Sequence, residues 1–192
     1  MTRHRALAPT TSSPTPRATL ARVVSRHPTL LIAITIVALT AVAAAVSVVW
    51  PGLGPSGQPR PTLHGTPCEV VSIFVTNART LIAPLLLAAG RWHTGRATRD
   101  IGDVVVAALV ISNPVMVGLA LGRHPIELLE YLPHLPIEDA ALAIAASAWI
   151  ARRVRSAAES PPPASVLRHT VLALAVALLA ALVETYAVPH AS

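Results

Sequence analysis

Apolar residues in this chain are grouped into long blocks. Five apolar stretches are separated by polar segments, and they span residues 29–50, 70–89, 104–122, 137–150 and 170–188. All but the fourth reach about 20 residues, the length that an α-helix needs to cross about 30 Å of hydrocarbon. The pattern predicts an all-α fold, a polytopic integral membrane helix bundle with about five transmembrane helices.

Positive residues are distributed unevenly between these stretches. Arginines are frequent before the first stretch, between the second and third, and between the fourth and fifth, whereas the other two gaps hold only Arg60 and Arg123. Because positively charged loops stay in the cytoplasm, this pattern predicts that the N-terminus is inside and the C-terminus outside. The net charge of +6 is sorted by membrane side, so we predict no nucleic-acid partner. All basic residues besides histidine are arginine, which favours a GC-rich bacterial genome.

The chain divides into four segments. Residues 1–28 are rich in Pro, Ser, Thr and Arg and predict a disordered basic cytoplasmic tail. Residues 29–50 form the first transmembrane helix, and their length favours a retained anchor over the alternative of a cleaved signal peptide. Residues 51–68 are dense in Pro and Gly and predict an extracytoplasmic loop without helix. Residues 69–189 then form a four-helix membrane domain.

Three local features refine the helices. Asn113 and Pro114 lie in the middle of the third stretch, where a proline removes a backbone hydrogen bond and predicts a kink. Gly118 and Gly122 are four residues apart, a spacing that favours close packing against another helix. Trp149 lies at the end of the fourth stretch and is expected at the membrane interface.

The predicted topology brings the polar residues of the stretches to similar depths. All of them fall in the outer half of the membrane, and they are Asn77, Arg79, Asn113, His134, Glu138 and Glu184. A buried arginine usually faces the bundle interior and pairs with an acid, so we predict an ion pair of Arg79 with Glu184 or Glu138. In the alternative interpretation, the second helix enters the membrane later and leaves Arg79 at the interface.

Chemical motifs are few. His134 and Glu138 are four residues apart, but two ligands are too few for a closed metal site, so interfacial hydrogen bonding is the preferred role and no metal or cofactor is predicted. The sequence contains no H-E-x-x-H, no G-x-S-x-G and no phosphate-binding loop. We therefore predict that the protein is not an enzyme. An intramembrane activity through His134 with Glu138 or Glu184 is the alternative that stays open.

Several of these residues resemble motifs of the stage II sporulation protein M family. The resemblance is carried by Leu132-Pro133-His134 with Glu138 four residues after the histidine, by Ala181–Pro189 around Glu184, and by Asn77 and Asn113. It covers about residues 69–189. This chain departs from the family where Leu135 follows His134 and where Pro114 follows Asn113, since the family tends to have glycine at both positions.

The resemblance implies a bacterial polytopic membrane protein without enzymatic activity of its own. In endospore formers, members of the family act as scaffolds that organise peptidoglycan-degrading partners. The expected function is thus a scaffold or partner-binding subunit of a membrane complex, in contact with the lipid bilayer and with other membrane or cell-envelope proteins. The alternative is a transport-related, permease-like subunit with a polar pathway in the outer half of the membrane. Homo-oligomerisation is left open.

Overall fold

The computed structural model describes residues 27–53, 65–90, 96–125, 128, 132–154 and 163–187. These residues form five α-helices and one 3-10 turn, Pro51–Leu53, and contain no strand. The helices are α1 (Pro28–Val49), α2 (Pro67–Ala89), α3 (Arg96–Arg123), α4 (Leu135–Val154) and α5 (Pro163–Ala187). The predicted all-α class is confirmed. The predicted disordered tail lies outside the described residues, apart from His27 and Pro28.

The boundaries of α2 show how local chemistry extends a helix beyond its apolar stretch. The Thr66 hydroxyl accepts a hydrogen bond from the Glu69 backbone N–H at 3.3 Å, and the Glu69 carboxylate accepts one from the Thr66 N–H at 2.7 Å. This reciprocal capping box lets α2 begin at Pro67, where proline has no N–H to leave unsatisfied. The prediction of a helix-free loop over residues 51–68 is therefore wrong at both of its ends.

The prolines inside the bundle do not end their helices. α3 continues through Pro114 and α2 continues through Pro84, and both prolines are buried. Membrane helices tolerate internal proline where neighbouring helices surround the freed carbonyl. Helix α3 thus continues through Pro114, although the proline cannot donate the backbone hydrogen bond of that position.

Helix α4 lies at the centre of the bundle and contacts each of the other four helices. Around it, α1 packs against α3, α3 against α2, and α2 against α5. Helices α3 and α4 are antiparallel, because the N-terminal part of α3 contacts the C-terminal part of α4. Helices α1 and α3 are parallel, because their C-terminal parts contact each other. The bundle core is built largely from alanine, with Ile36, Leu81, Leu85 and Trp149 as its larger members.

Four of the five helices are long and apolar enough to cross a membrane, and α4 is the exception. The four outer helices expose large apolar side chains such as Ile34, Val75, Ile111 and Val171. Among the side chains of α4 that the structure describes, no large hydrophobic one is exposed, and the central residues are mostly buried alanines. A helix that packs against protein on all sides needs small residues, because they allow the neighbouring helices to approach. High hydropathy matters less for such a helix than for one on the outside of the bundle. The apolar exterior indicates a multi-pass membrane protein.

The glycine pair of α3 lies against α1, as the spacing predicted. A Cβ added at Gly118 would come within 2.7 Å of the Ala43 Cβ and would also clash with the Thr40 carbonyl oxygen. A Cβ at Gly122 would lie 2.7 Å from the Ser47 Cβ and would clash with the Ala44 carbonyl oxygen. The two glycines therefore allow the backbones of α1 and α3 to approach closely.

Candidate functional site

We call the two ends of the bundle by their charges. The carboxylate end holds the C-termini of α1, α3 and α5 and the N-termini of α2 and α4, with Glu138 and Glu184 among them. The arginine end holds the opposite termini, with Arg152 and Arg153 at the end of α4. The polar residues of interest gather at the carboxylate end.

His134 caps the N-terminus of helix α4. Its carbonyl oxygen accepts hydrogen bonds from the backbone N–H groups of Ile137 and Glu138, each at 3.0 Å, so the residue occupies the helix-capping position in spite of Pro136. Its side chain lies inside the bundle with only 4% of the residue exposed. Because Glu138 follows one turn later, the imidazole and this carboxylate lie on the same face of α4.

Glu138 is held from a second helix. The Asn77 side-chain amide of α2 donates a hydrogen bond to Glu138 Oε1. Asn77 belongs to the inward stripe of α2 together with Ile73, Leu81 and Leu85, which recur at helical spacing and are buried. This contact joins α2 to the central helix within the bundle.

Glu184 reaches the same place from α5. It is 3% exposed, and its Oε2 atom lies 3.8 Å from His134 Nε2. The preceding turns of α5 present Ala173, Ala177, Ala180 and Ala181 to the interior, and these small residues let α5 approach α4 closely. The ligand atoms of His134, Glu138 and Glu184 all lie within 4.8 Å of one another.

A polar chamber adjoins these three side chains. It has a volume of about 350 Å³, and its lining combines His134, Glu138, Glu184 and Asn77 with apolar residues of α3 such as Met116 and Val117. Leu128, in the segment after α3, also lines it. The volume falls within the range of small-ligand sites in proteins. The buried side chains of His134 and Glu184 and the half-buried carboxylate of Glu138 therefore face a chamber and are not enclosed by packed side chains alone.

A smaller cavity continues from Asn77 toward the middle of the bundle. It has a volume of about 40 Å³ and is lined by Asn77, Asn113, Thr80 and Glu138 together with apolar residues. This is room for one or two water molecules, since one needs roughly 10–15 Å³ of such volume and polar partners. Asn113 thus joins the cluster through the cavity. Thr80 was missed by the sequence reasoning, although it follows Asn77 at helical spacing.

Arg79 was predicted to belong to this cluster, but the structure places it outside the cluster. The ion pair predicted for Arg79 is therefore wrong. Its side chain is exposed on the outside of the bundle, and within the described residues it makes no salt bridge with either glutamate. Each residue turns an α-helix by about 100°, so Arg79 lies about 200° around α2 from the inward-facing Asn77. The two side chains could not both face the interior, a signal that the sequence already contained.

The arginine end carries a second polar cluster, which we call the indole clasp. Asp103 of α3 accepts a hydrogen bond from the Trp149 indole N–H at 2.9 Å and another from Arg153 Nε at 2.9 Å. Trp149 is 2% exposed, so its indole lies inside the bundle and does not face the surroundings of the protein. Gly102 makes room for the indole, because a Cβ there would lie 2.5 Å from the ring. The clasp was missed, because only the antiparallel register of α3 and α4 brings residues so distant in sequence together.

Comparison with models of protein families, with curated proteins and with solved structures finds no match to this chain. The resemblance to the stage II sporulation protein M family stays a prediction that depends on its motif residues. Three of those residues, His134, Glu138 and Glu184, come from two helices and meet at one site.

Proposed function

We propose that this protein is a non-enzymatic scaffold or partner-binding subunit of a bacterial cytoplasmic membrane complex. In this proposal all five helices cross the membrane, the N-terminus is cytoplasmic, and the carboxylate end faces outward. Helix α1 is a retained anchor, which is supported by its contribution of Ile32 and Ile36 to the core. The observation that carries the proposal is the exposed position of Arg79 on the outer surface of α2.

Arg79 lies close to the middle of a helix that is long enough to cross a membrane. It follows Pro67 by twelve residues and precedes Ala89 by ten, which places it about 18 Å and about 15 Å from the helix ends. An arginine at such a position costs about 2.5–3.5 kcal/mol on insertion scales. Intramembrane charges are usually matched by a partner. Since the described residues of this chain leave Arg79 on the outside, its partner is expected to be another molecule.

The surface of α2 around Arg79 is suited to contact with a transmembrane helix of another protein. Ser72, Thr76 and Arg79 form an exposed polar stripe along one face of α2, at the i, i+4 and i+7 positions. The Thr76 hydroxyl donates to the Ser72 carbonyl oxygen at 2.9 Å, so it adds no unsatisfied donor to that face. Small polar residues favour close helix association in membranes. The stripe therefore fits a transmembrane helix that carries an Asp or Glu at the depth of Arg79.

A different protein suits this stripe better than a second copy does. In this chain the intramembrane carboxylate Glu184 is buried and Glu138 is directed toward Asn77. Neither is exposed on the bundle surface to meet Arg79 of another copy. The complementary carboxylate is expected on a partner protein, and a homo-oligomer becomes one outcome of the test.

A photo-crosslinking amino acid at Thr76 would test the proposal in native membranes. We expect a discrete adduct that disappears in the Arg79→Leu background and persists in Arg79→Lys, because only the leucine removes the charge. The same probe at Val171 on α5 is the matched control and should give no charge-dependent adduct. Replacement of the partner's acidic residue by asparagine should abolish the adduct. An adduct that is equally strong with Arg79→Leu would refute the proposal.

A transport-related subunit is the second candidate, and the polar chamber beside Glu138 and Glu184 favours it. Toward the arginine end, however, the interior is filled by Leu81, Leu85, Ala145 and Trp149. Cysteines placed singly at Thr80, Leu81 and Ala145 and treated with a small polar thiol reagent would separate the candidates. Labelling that stops at Thr80 favours the scaffold, whereas labelling at Ala145 favours a pathway through the membrane.

A further inference from the structure

We propose that His134, Glu138 and Glu184 form a binding site for one divalent transition-metal cation. The sequence alone offers two ligands on α4, and the structure adds a third from α5. Their three ligand atoms lie within 4.8 Å of one another, and both His134 and Glu184 are more than nine-tenths buried. The site depends on residues other than the Arg79 stripe, so it stands or falls separately from the proposed scaffold function.

The spacing of the ligand atoms is close to that of a metal site. In tetrahedral coordination with bonds of about 2.0–2.2 Å, ligand atoms lie roughly 3.3–3.6 Å apart. His134 Nε2 and Glu184 Oε2 are 3.8 Å apart, within a few tenths of an ångström of this range. The widest separation within the group, 4.8 Å at most, closes by a movement of about 1 Å, which is within reach of rotation about glutamate side-chain bonds.

Charge also favours a cation. The two carboxylates carry two negative charges when ionised, and the imidazole offers at most one positive charge. A divalent cation would neutralise both carboxylates and leave His134 neutral, the form in which imidazole binds metals.

Asn77 and the polar chamber provide two further features that are expected of a metal site, an outer hydrogen-bond partner and a space for the ion to enter. The Asn77 amide donates to Glu138 Oε1 and so orients this carboxylate, as outer hydrogen-bond partners do for ligands in metal sites. The chamber of about 350 Å³ reaches all three ligand side chains. It gives an ion a route to the site and leaves space for a water molecule in the fourth coordination position.

The ligand types narrow the choice of metal. Imidazole together with carboxylates suits Zn²⁺, Mn²⁺ or Fe²⁺, whereas Ca²⁺ and Mg²⁺ prefer sites made only of oxygen. A Cu⁺ site would be built mainly from thiolate or thioether sulfur, whereas the three ligands of this group offer only imidazole nitrogen and carboxylate oxygen. We therefore choose Zn²⁺ as the first probe and Mn²⁺ as the second.

The test uses the full chain, purified in detergent and stripped with a chelator. Titration with ZnCl₂ or MnCl₂ should saturate at about one ion per chain and raise the temperature of thermal unfolding, because an ion that binds only the folded state stabilises it. Glu184→Gln keeps the size of the side chain and removes its charge. We expect it to weaken binding by about 100-fold or more, since loss of even an outer partner costs 10–100-fold.

Asp100→Asn is the matched control, because it removes an exposed carboxylate at the arginine end. It should bind Zn²⁺ as the unaltered protein does. If Glu184→Gln does not fold, the response of the unaltered protein to Zn²⁺ and to the chelator decides alone. The proposal is overturned if neither ion shifts the unfolding temperature of the unaltered protein, or if Glu184→Gln and Asp100→Asn bind equally tightly.

Discussion

The two ends of the bundle use charged residues in opposite ways. At the arginine end, Asp103 is 42% exposed at its side chain and bonds directly to Arg153, which is 39% exposed. At the carboxylate end, Glu184 and His134 are almost fully buried and stand 3.8 Å apart beside a chamber. The first arrangement matches opposite charges at short range, and the second brings two acids and one histidine together.

This difference separates a cluster that joins two helices from a cluster that is arranged around a chamber. The indole clasp satisfies its donors and acceptors within the protein, so it fastens α3 to α4 and needs nothing further. The carboxylate end places two buried polar side chains, His134 and Glu184, and the half-buried Glu138 around an open volume, an arrangement that contributes little to stability by itself. The following predictions test this contrast between the two ends.

The largest effect is expected for Glu184→Ala. The substitution leaves a void beside His134 and removes one member of a buried, interacting cluster, so we expect a loss of about 3–5 kcal/mol in the free energy of unfolding. Unfolding in mixed micelles of increasing SDS content would measure it. A loss below that of Arg153→Ala would contradict the contrast between the two ends.

Substitutions of glycine by alanine should cause the next largest losses in the free energy of unfolding. Gly122→Ala places a Cβ against the backbone of α1 at Ala44, which cannot move aside alone, and we expect a loss of about 1–3 kcal/mol. Gly102→Ala at the arginine end meets only the side chain of Trp149 and should cost less. Gly52→Ala is the control, since a Cβ there has nothing within 4 Å. The same unfolding assay would rank the three variants, and a larger loss for Gly102→Ala would reverse our interpretation.

The hydrogen bond from Trp149 to Asp103 should contribute less, and Trp149→Phe removes it. The substitution keeps most of the ring and removes the indole N–H that donates to Asp103, so we expect a loss of about 0.5–1.5 kcal/mol beyond that of the lost ring volume. A double-mutant cycle with Asp103→Asn would isolate this bond. The absence of any coupling between the two positions would show that the clasp does not join the helices.

The smallest effect is expected for Arg153→Ala. Its ion pairs with Asp103 and Asp100 are partly exposed, and such pairs are worth about 0.2–1 kcal/mol. The loss should shrink further as salt is raised from low to high concentration, since exposed charges are screened. A large loss that is independent of salt would mean that the clasp behaves like a buried pair.

Much of the fold was predictable because it depends on local sequence. The apolar stretches predicted five helices, and each stretch lies largely within one of the helices. The ends were less predictable, because capping at Thr66 and the polar turns of α3 and α5 extend helices past the apolar residues. The convergence of Asn77, Asn113, His134, Glu138 and Glu184 was predicted from depth alone.

Rotation about the helix axes accounts for most of what was missed. Depth along a helix follows from residue number, but the face of a residue matters only once the neighbouring helices are known. Arg79 and Asn77 have nearly the same depth and opposite faces, so the depth argument grouped them wrongly. Trp149 ends an apolar stretch, which predicted the interface, yet the packing of α3 beside α4 buries it.

By itself, the sequence determined the helical class and the position of the apolar stretch within each described helix, because apolar length is a property of consecutive residues. Only the tertiary structure decided that α4 is central, that Arg79 faces outward, and that Glu184 joins His134 and Glu138. Those features depend on which helix packs beside which. That choice is made by contacts between residues far apart in the chain, such as Gly122 with Ala44.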